Sequence, residues 1–131
     1  TMTLIVIDTH GKRLVYANAG HELPFLQHGS KPPTRMAIGD LVLGVDESTV
    51  YNEEIAELGE HARVVIVSDG VTEAFNPDEA QYGTERIKTL MSQHGSTDAR
   101  DLVNAFQISL AAFRNGREAF DDTTLLVAQL T

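Results

Sequence analysis

Apolar and polar positions alternate or run in short blocks through the first half of the chain, and the period lengthens in the second half. Residues 2–8 (MTLIVID) predict a strand, and Asp8-Thr9-His10-Gly11 a turn in which glycine is free to take positive φ. Residues 13–18 (RLVYAN) predict the return strand, so the chain opens with a hairpin. Asn18-Ala19-Gly20-His21 breaks the pattern, and Pro24 argues against a central strand, so 23–28 pairs after it or lies on an edge. Gly29-Ser30-Lys31-Pro32-Pro33 is a loop. Residues 34–49 are irregular, with a short strand expected around Leu41–Val45. A strand is expected over 50–57, a turn at Leu58-Gly59-Glu60-His61, and a buried strand over 62–68, where Val64 to Val67 are all β-branched.

Beyond that strand Ile87, Leu90, Met91 and His94 follow helical spacing, with Gly95 as the stop. Thr97 or Asp98 can cap a second helix with an inner stripe of Leu102, Phe106, Leu110 and Phe113, and Gly116 lies just past its end. Residues 123–130 (TTLLVAQL) predict a final strand. Many strands, two helices and one strand make an α+β domain, an antiparallel sheet with helices on one face.

The bulk numbers fit one globular domain: 131 residues, 42% hydrophobic and 22% charged. The absence of cysteine excludes disulfides, thiolate zinc sites and cysteine nucleophiles. A net charge of −9 opposes binding to nucleic acid and to anionic membranes, and no apolar run is long enough to insert in a bilayer. The same charge suits a protein that holds divalent cations. No signal peptide is visible, so a cytoplasmic location is expected. The chain opens inside a strand-like pattern, TMTLIVID, as a piece of a longer protein would.

Acids stand at two strand boundaries: Asp69, after the β-branched run, and Asp121-Asp122, before TTLLVAQL. If those strands are antiparallel neighbours, Asp69 and Asp121 meet at one rim. Adjacent carboxylates repel, and a divalent cation removes that cost. Oxygen-only ligands favour Mg²⁺ or Mn²⁺. Taken alone, an Asp-Gly after a strand is most often a turn, and an Asp-Asp before one a solvated loop. His21-Glu22 begins like a zincin motif, but position 25 is Phe.

In order, Tyr16-Ala17-Asn18-Ala19-Gly20-His21 with Pro24 and Leu26, Leu43-Gly44-Val45, Val67-Ser68-Asp69-Gly70-Val71-Thr72-Glu73-Ala74, Tyr82-Gly83 with Glu85-Arg86-Ile87, and Asp121-Asp122-Thr123-Thr124-Leu125-Leu126-Val127 resemble the motifs of one family. It is the SpoIIE/RsbU-type bacterial branch of the PP2C-like, metal-dependent protein serine/threonine phosphatases. The resemblance covers about residues 4–130. It implies a β-sandwich flanked by helices and a two-metal Mn²⁺ or Mg²⁺ site at one end. It also implies a phosphoserine or phosphothreonine substrate on a small regulatory protein, such as an anti-sigma-factor antagonist.

By position, the resemblance makes Asp69 and Asp121 the metal ligands, with Asp122 the alternative to Asp121. Gly70 either lets backbone approach the metal-bound water or is a plain turn glycine. Glu73 either orients a water or Asp69 from outside the ligand shell, or starts a helix. Asn18 and His21 either touch an outer metal or the phosphate, or brace their loop by hydrogen bonds. The family's Asp-x-x-Gly-x-Gly motif, whose Asp bridges both metals, has no match in residues 1–131. The chain is therefore expected to be the C-terminal portion of the domain, incomplete at its N-terminal side and inactive alone. Unpaired edges then predict a homodimer or strand-exchanged assembly. The alternatives are a non-catalytic PP2C-like interaction module and, more weakly, a simple cation-binding domain.

Overall fold

The computed structural model describes all residues from Thr1 to Thr131. Strand β1 (Met2–Asp8) pairs antiparallel with β2 (Arg13–Ala19) over its whole length, from Met2↔Ala19 to Asp8↔Arg13. The turn between them is closed by Asp8, whose Oδ1 accepts the N–H groups of Gly11 at 2.9 Å and His10 at 3.1 Å. The Gly11 bond, above all, holds the Asp8 carboxyl below its ordinary pKa. Strand β5 (Glu54–Glu57) takes the other side of β2, giving the order β1-β2-β5.

The second sheet has the order β4-β3-β6-β7, from β3 (Phe25–His28), β4 (Thr34–Arg35), β6 (Ala62–Val67) and β7 (Leu125–Gln129). Pro24 stands just before β3, so the strand that follows is free to bond on both sides, to β4 and to β6. All pairings between strands are antiparallel.

The strand expected around Leu41–Val45 does not form. Its apolar residues face no partner strand, Gly44 takes φ +81°, and Leu41, Leu43 and Val45 are exposed. Residues 50–53 likewise stay outside the sheet, and only Glu54–Glu57 pair. This segment is anchored instead by Asp40, whose carboxylate accepts the backbone and side-chain N–H of Asn52 at 2.7 and 2.9 Å.

The sheets face each other across a core of Leu14, Tyr16, Leu26, Met36, Leu58, Ala62 and Val64. Tyr16 links them to the irregular segment: its hydroxyl accepts from the Ile38 N–H at 2.7 Å and donates to Glu54 Oε2 at 2.9 Å. Burial, more than Glu54, pushes the Tyr16 phenol above its ordinary pKa.

A second core lies on the outer face of the four-stranded sheet. Helices α2 (Gly83–Gln93) and α3 (Ala99–Arg114) bring Ile87, Met91, Leu102, Phe106 and Leu110 onto Phe25, Val65 and Val67. Asp98, not Thr97, is the cap of α3, accepting the Asp101 N–H at 2.8 Å. Buried Arg63 fastens β6 to the turn between the helices, donating to the carbonyls of His94 (2.7 Å) and Thr97 (3.2 Å) and to Gln27 Oε1 (2.8 Å). The result is a β-sandwich with helices packed on one side. No helix is long and apolar enough to cross a membrane.

Candidate metal centre

Strands β6 and β7 are antiparallel neighbours, and their pairing ends at Val67↔Leu125. The next residues, Ser68 and Thr124, carry the pairing one step further: the Ser68 N–H donates to Thr124 O at 3.0 Å. Ser68 Oγ accepts the Thr124 N–H at 2.9 Å and donates to Asp122 O at 3.0 Å. One serine thus clips together the two segments that bear the acids. The sequence motif carried Ser68 without assigning it this work.

Asp69 opens a single helical turn, α1 (Asp69–Thr72), where the sequence predicts a turn at Asp69-Gly70 and, as one alternative, a helix starting at Glu73. Its Oδ1 accepts the Gly70 N–H at 2.9 Å. Gly70 is neither a positive-φ residue nor a simple turn glycine. A Cβ at this position would overlap the carbonyl oxygen of Asp122 and press on that of Asp121. Glycine is needed because the α1 turn lies directly against the 121–122 backbone, and that contact brings the turn bearing Asp69 against the segment bearing Asp121 and Asp122. Arg114, from the last turn of α3, braces the same junction by donating to Gly70 O (3.3 Å) and Thr123 Oγ1 (2.7 Å).

The product is an open polar pocket of about 360 Å³ lined by Asp69, Asp121, Asp122, Ser68 and Thr124 together with Thr1, Gly20, His21, Glu22 and Arg35. It has no hydrophobic lining residue. Asp69, Asp121 and Asp122 are exposed and none is paired with a cation of the chain. Asp121 Oδ1 accepts the Asp122 N–H at 2.7 Å, and both residues border the pocket, so neither is favoured over the other as the partner of Asp69.

The donor chemistry suits a hard divalent cation, since every candidate ligand is an oxygen. No three of the chain's carboxylates and imidazoles converge closely enough to hold a metal by themselves. Magnesium-type sites commonly use one or two carboxylates and complete the octahedron with water and substrate oxygens. The residues present therefore fit part of such a site.

His21 borders the pocket. Asn18 does not: it is buried behind the loop and braces it. Its Oδ1 accepts the His21 N–H at 2.9 Å, and its Nδ2 donates to Thr3 Oγ1 and His21 O, both at 3.0 Å. Glu73 ends α1 rather than starting a helix; its N–H donates to Asp69 O at 2.8 Å, while its carboxylate is exposed, makes no hydrogen bond and lies away from the pocket lining. Glu22 and Arg35 are the charged pocket residues that sequence reasoning did not name as part of the site. Glu22 adjoined the His21 motif and could have been flagged by it; Arg35 arrives only through the β3–β4 pairing.

Phosphoserine phosphatase RsbU of Bacillus subtilis (strain 168) is 28% identical over 123 residues, 92% of this chain and 35% of RsbU. The SiaA PP2C domain of Pseudomonas aeruginosa superposes with a TM-score of 0.86 at 17% identity, over 98% of this chain and 51% of that one. The manganese-presoaked phosphatase domain of the cell fate determinant SpoIIE from B. subtilis gives 0.76 at 15% identity, over 99% and 56%. The chain thus spans about a third of the curated RsbU and about half of each solved domain. Those structures share its PP2C-like fold. The Stage II sporulation protein E (SpoIIE) family matches residues 1–131 from end to end, and the chain belongs to that family.

Proposed function

We propose that the chain is the C-terminal portion of a PP2C-like protein serine/threonine phosphatase domain, with Asp69 and Asp121 (or Asp122) as ligands of a Mn²⁺ or Mg²⁺ pair. The observation that supports this is that Asp69, Asp121 and Asp122 all line one polar pocket, at strand ends joined by Ser68 and packed through Gly70. Bound divalent cations supply charge neutralisation for a phosphate monoester and a water of lowered pKa. The chain's own residues do the rest. The carboxylates offset cationic charge, the Ser68 clip and the Gly70 contact fix their spacing, and the open polar lining admits a phosphorylated side chain. No nucleophilic side chain is required, in keeping with a chain that lacks cysteine.

The proposed substrate is a phosphoserine or phosphothreonine on a small regulatory protein, in the cytoplasm. This chain alone is expected to bind metal weakly and turn over little substrate, because the bridging carboxylate of the family is not among its residues. A homodimer or strand-exchanged assembly is part of the proposal, supported by the apolar outer face of β1 and by β1 and β7 each ending a sheet. A non-catalytic interaction module is the competing reading, and the lack of a third converging ligand is what favours it. Manganese-dependent hydrolysis of a phosphoserine protein by the full-length protein separates the two. Asp69→Asn should cost more than the roughly 10- to 100-fold typical of losing an outer partner of a metal ligand. Full activity in that variant, or none in the wild type, would refute the phosphatase assignment.

A further inference from the structure

Arg35 is the single permanently charged cation among the side chains that line the pocket, facing Glu22, Asp69, Asp121 and Asp122. It stands on the two-residue strand β4, opposite Phe25 of β3, with the backbone fixed by the adjoining Met36 N–H bonded to Pro24 O at 2.8 Å. One nitrogen, Nη2, donates to Glu22 Oε2 at 2.6 Å. Nε and Nη1 have no protein partner, and about a third of the side chain, 36%, is open to solvent. Half-exposed single ion pairs contribute little to stability, so the pairing is a poor reason by itself for an arginine at this rim.

The other oxygen of Glu22 points back to the acids. Glu22 Oε1 lies 3.4 Å from Thr72 Oγ1, which is itself 3.3 Å from Asp69 O in the α1 turn. The loop carrying Glu22 is fastened from behind by Asn18, which reaches His21 O at 3.0 Å and Glu22 O at 3.5 Å. A chain of contacts therefore runs from the Asp69 turn through Thr72 and Glu22 to Arg35. It sets a guanidinium with free N–H groups at a fixed place on the same pocket as the proposed metal ligands.

We infer that Arg35 binds the phosphate of the substrate, with Glu22 as its positioning residue. The inference rests on the phosphatase reading and adds a residue to it. With Nη2 held by Glu22, the N–H groups of Nε and Nη1 stay free to donate to oxygens of a phosphate dianion. Four carboxylates around the pocket would otherwise repel that dianion wherever the cations did not shield them. Arg35 supplies a fixed positive charge among the residues that line the same pocket.

The test uses the full-length protein and a fluorescent peptide carrying a hydrolysis-resistant phosphonate in place of phosphoserine. Peptide binding is read by anisotropy with saturating Mn²⁺, alongside Mn²⁺ affinity by calorimetry and the thermal midpoint. Arg35→Ala should weaken the phosphonate peptide roughly 10- to 100-fold, the scale of a lost charge-assisted contact. Binding of the matching serine peptide, Mn²⁺ affinity and thermal midpoint should stay unchanged. Arg35→Lys, which keeps the charge but loses the fork, should fall between, and Glu22→Gln should weaken binding less than Arg35→Ala. Unchanged phosphonate binding in Arg35→Ala would overturn the inference, as would a parallel fall in Mn²⁺ affinity or thermal midpoint, which would mark Arg35 as structural. A wild type that takes up no Mn²⁺ would instead sink the phosphatase reading, and the Arg35 assignment with it.

Discussion

The two sheets carry apolar residues outward in different company. On β6 both faces are apolar and both are covered: Val64 meets the other sheet, while Val65 and Val67 meet the helices. On β1 the residues facing away from the sandwich, Met2, Leu4 and Val6, are apolar too, and Ile55 of β5 adds to them, yet all four are exposed. The same sequence signal produces core on one side and an open patch on the other. The difference is the helix layer: α2 and α3 cover the four-stranded sheet, and no helix of the chain covers β1-β2-β5. Patches of this kind mark faces that gain by being covered, which is why an assembled state belongs to the proposal.

Breaking the covered side should cost most. Phe106→Ala removes a buried ring from the helix-to-sheet core and should lose about 3–5 kcal/mol in urea unfolding. Gly70→Ala disturbs the place where the covered sheet becomes a site. It should cost about 1–3 kcal/mol by forcing the 121–122 backbone away, and should weaken Mn²⁺ binding by the full-length protein.

Tyr16→Phe probes the seam between the sheets and should cost about 1 kcal/mol, the worth of its bonds to Ile38 and Glu54. Because the folded protein raises the Tyr16 pKa, this residue's contribution is complete below the ordinary tyrosine pKa. It fades as pH rises through the folded value. The phenylalanine variant should lack that alkaline component in pH-dependent unfolding. Leu4→Lys, on the uncovered face, should move stability by no more than about 0.5 kcal/mol. It should nonetheless reduce self-association by light scattering; a stability loss comparable to Phe106→Ala would show that this face is already buried in the protomer.

The strands and helices with strong periodicity are legible in the sequence, because local pattern and tertiary environment agree there. The Leu102, Phe106, Leu110 stripe and the Val64–Val67 run are the clearest cases. The Leu41–Val45 segment misled for the opposite reason: its residues favour a strand, but no neighbouring strand offers it a ladder. At the site, Asp69, Asp121 and Asp122 could be picked out as acids at strand ends, and the order of motifs pointed to a family. What the sequence left hidden was contact across the fold. The tight seat of Gly70 on Asp122, the Ser68 clip and the approach of Arg35 to Glu22 join residues 52, 54 and 13 positions apart, and no local pattern encodes them.

The central claim is that strand-end acids form a cation site, and a calorimetric Mn²⁺ titration of the full-length protein tests it most directly. Wild type is compared with Asp69→Asn, Asp121→Asn and Asp122→Asn, each checked for an unchanged thermal midpoint. The account predicts a loss of Mn²⁺ affinity in Asp69→Asn and in at least one of the other two, and that second variant identifies the partner ligand. Mn²⁺ affinity equal to wild type in Asp69→Asn would contradict it.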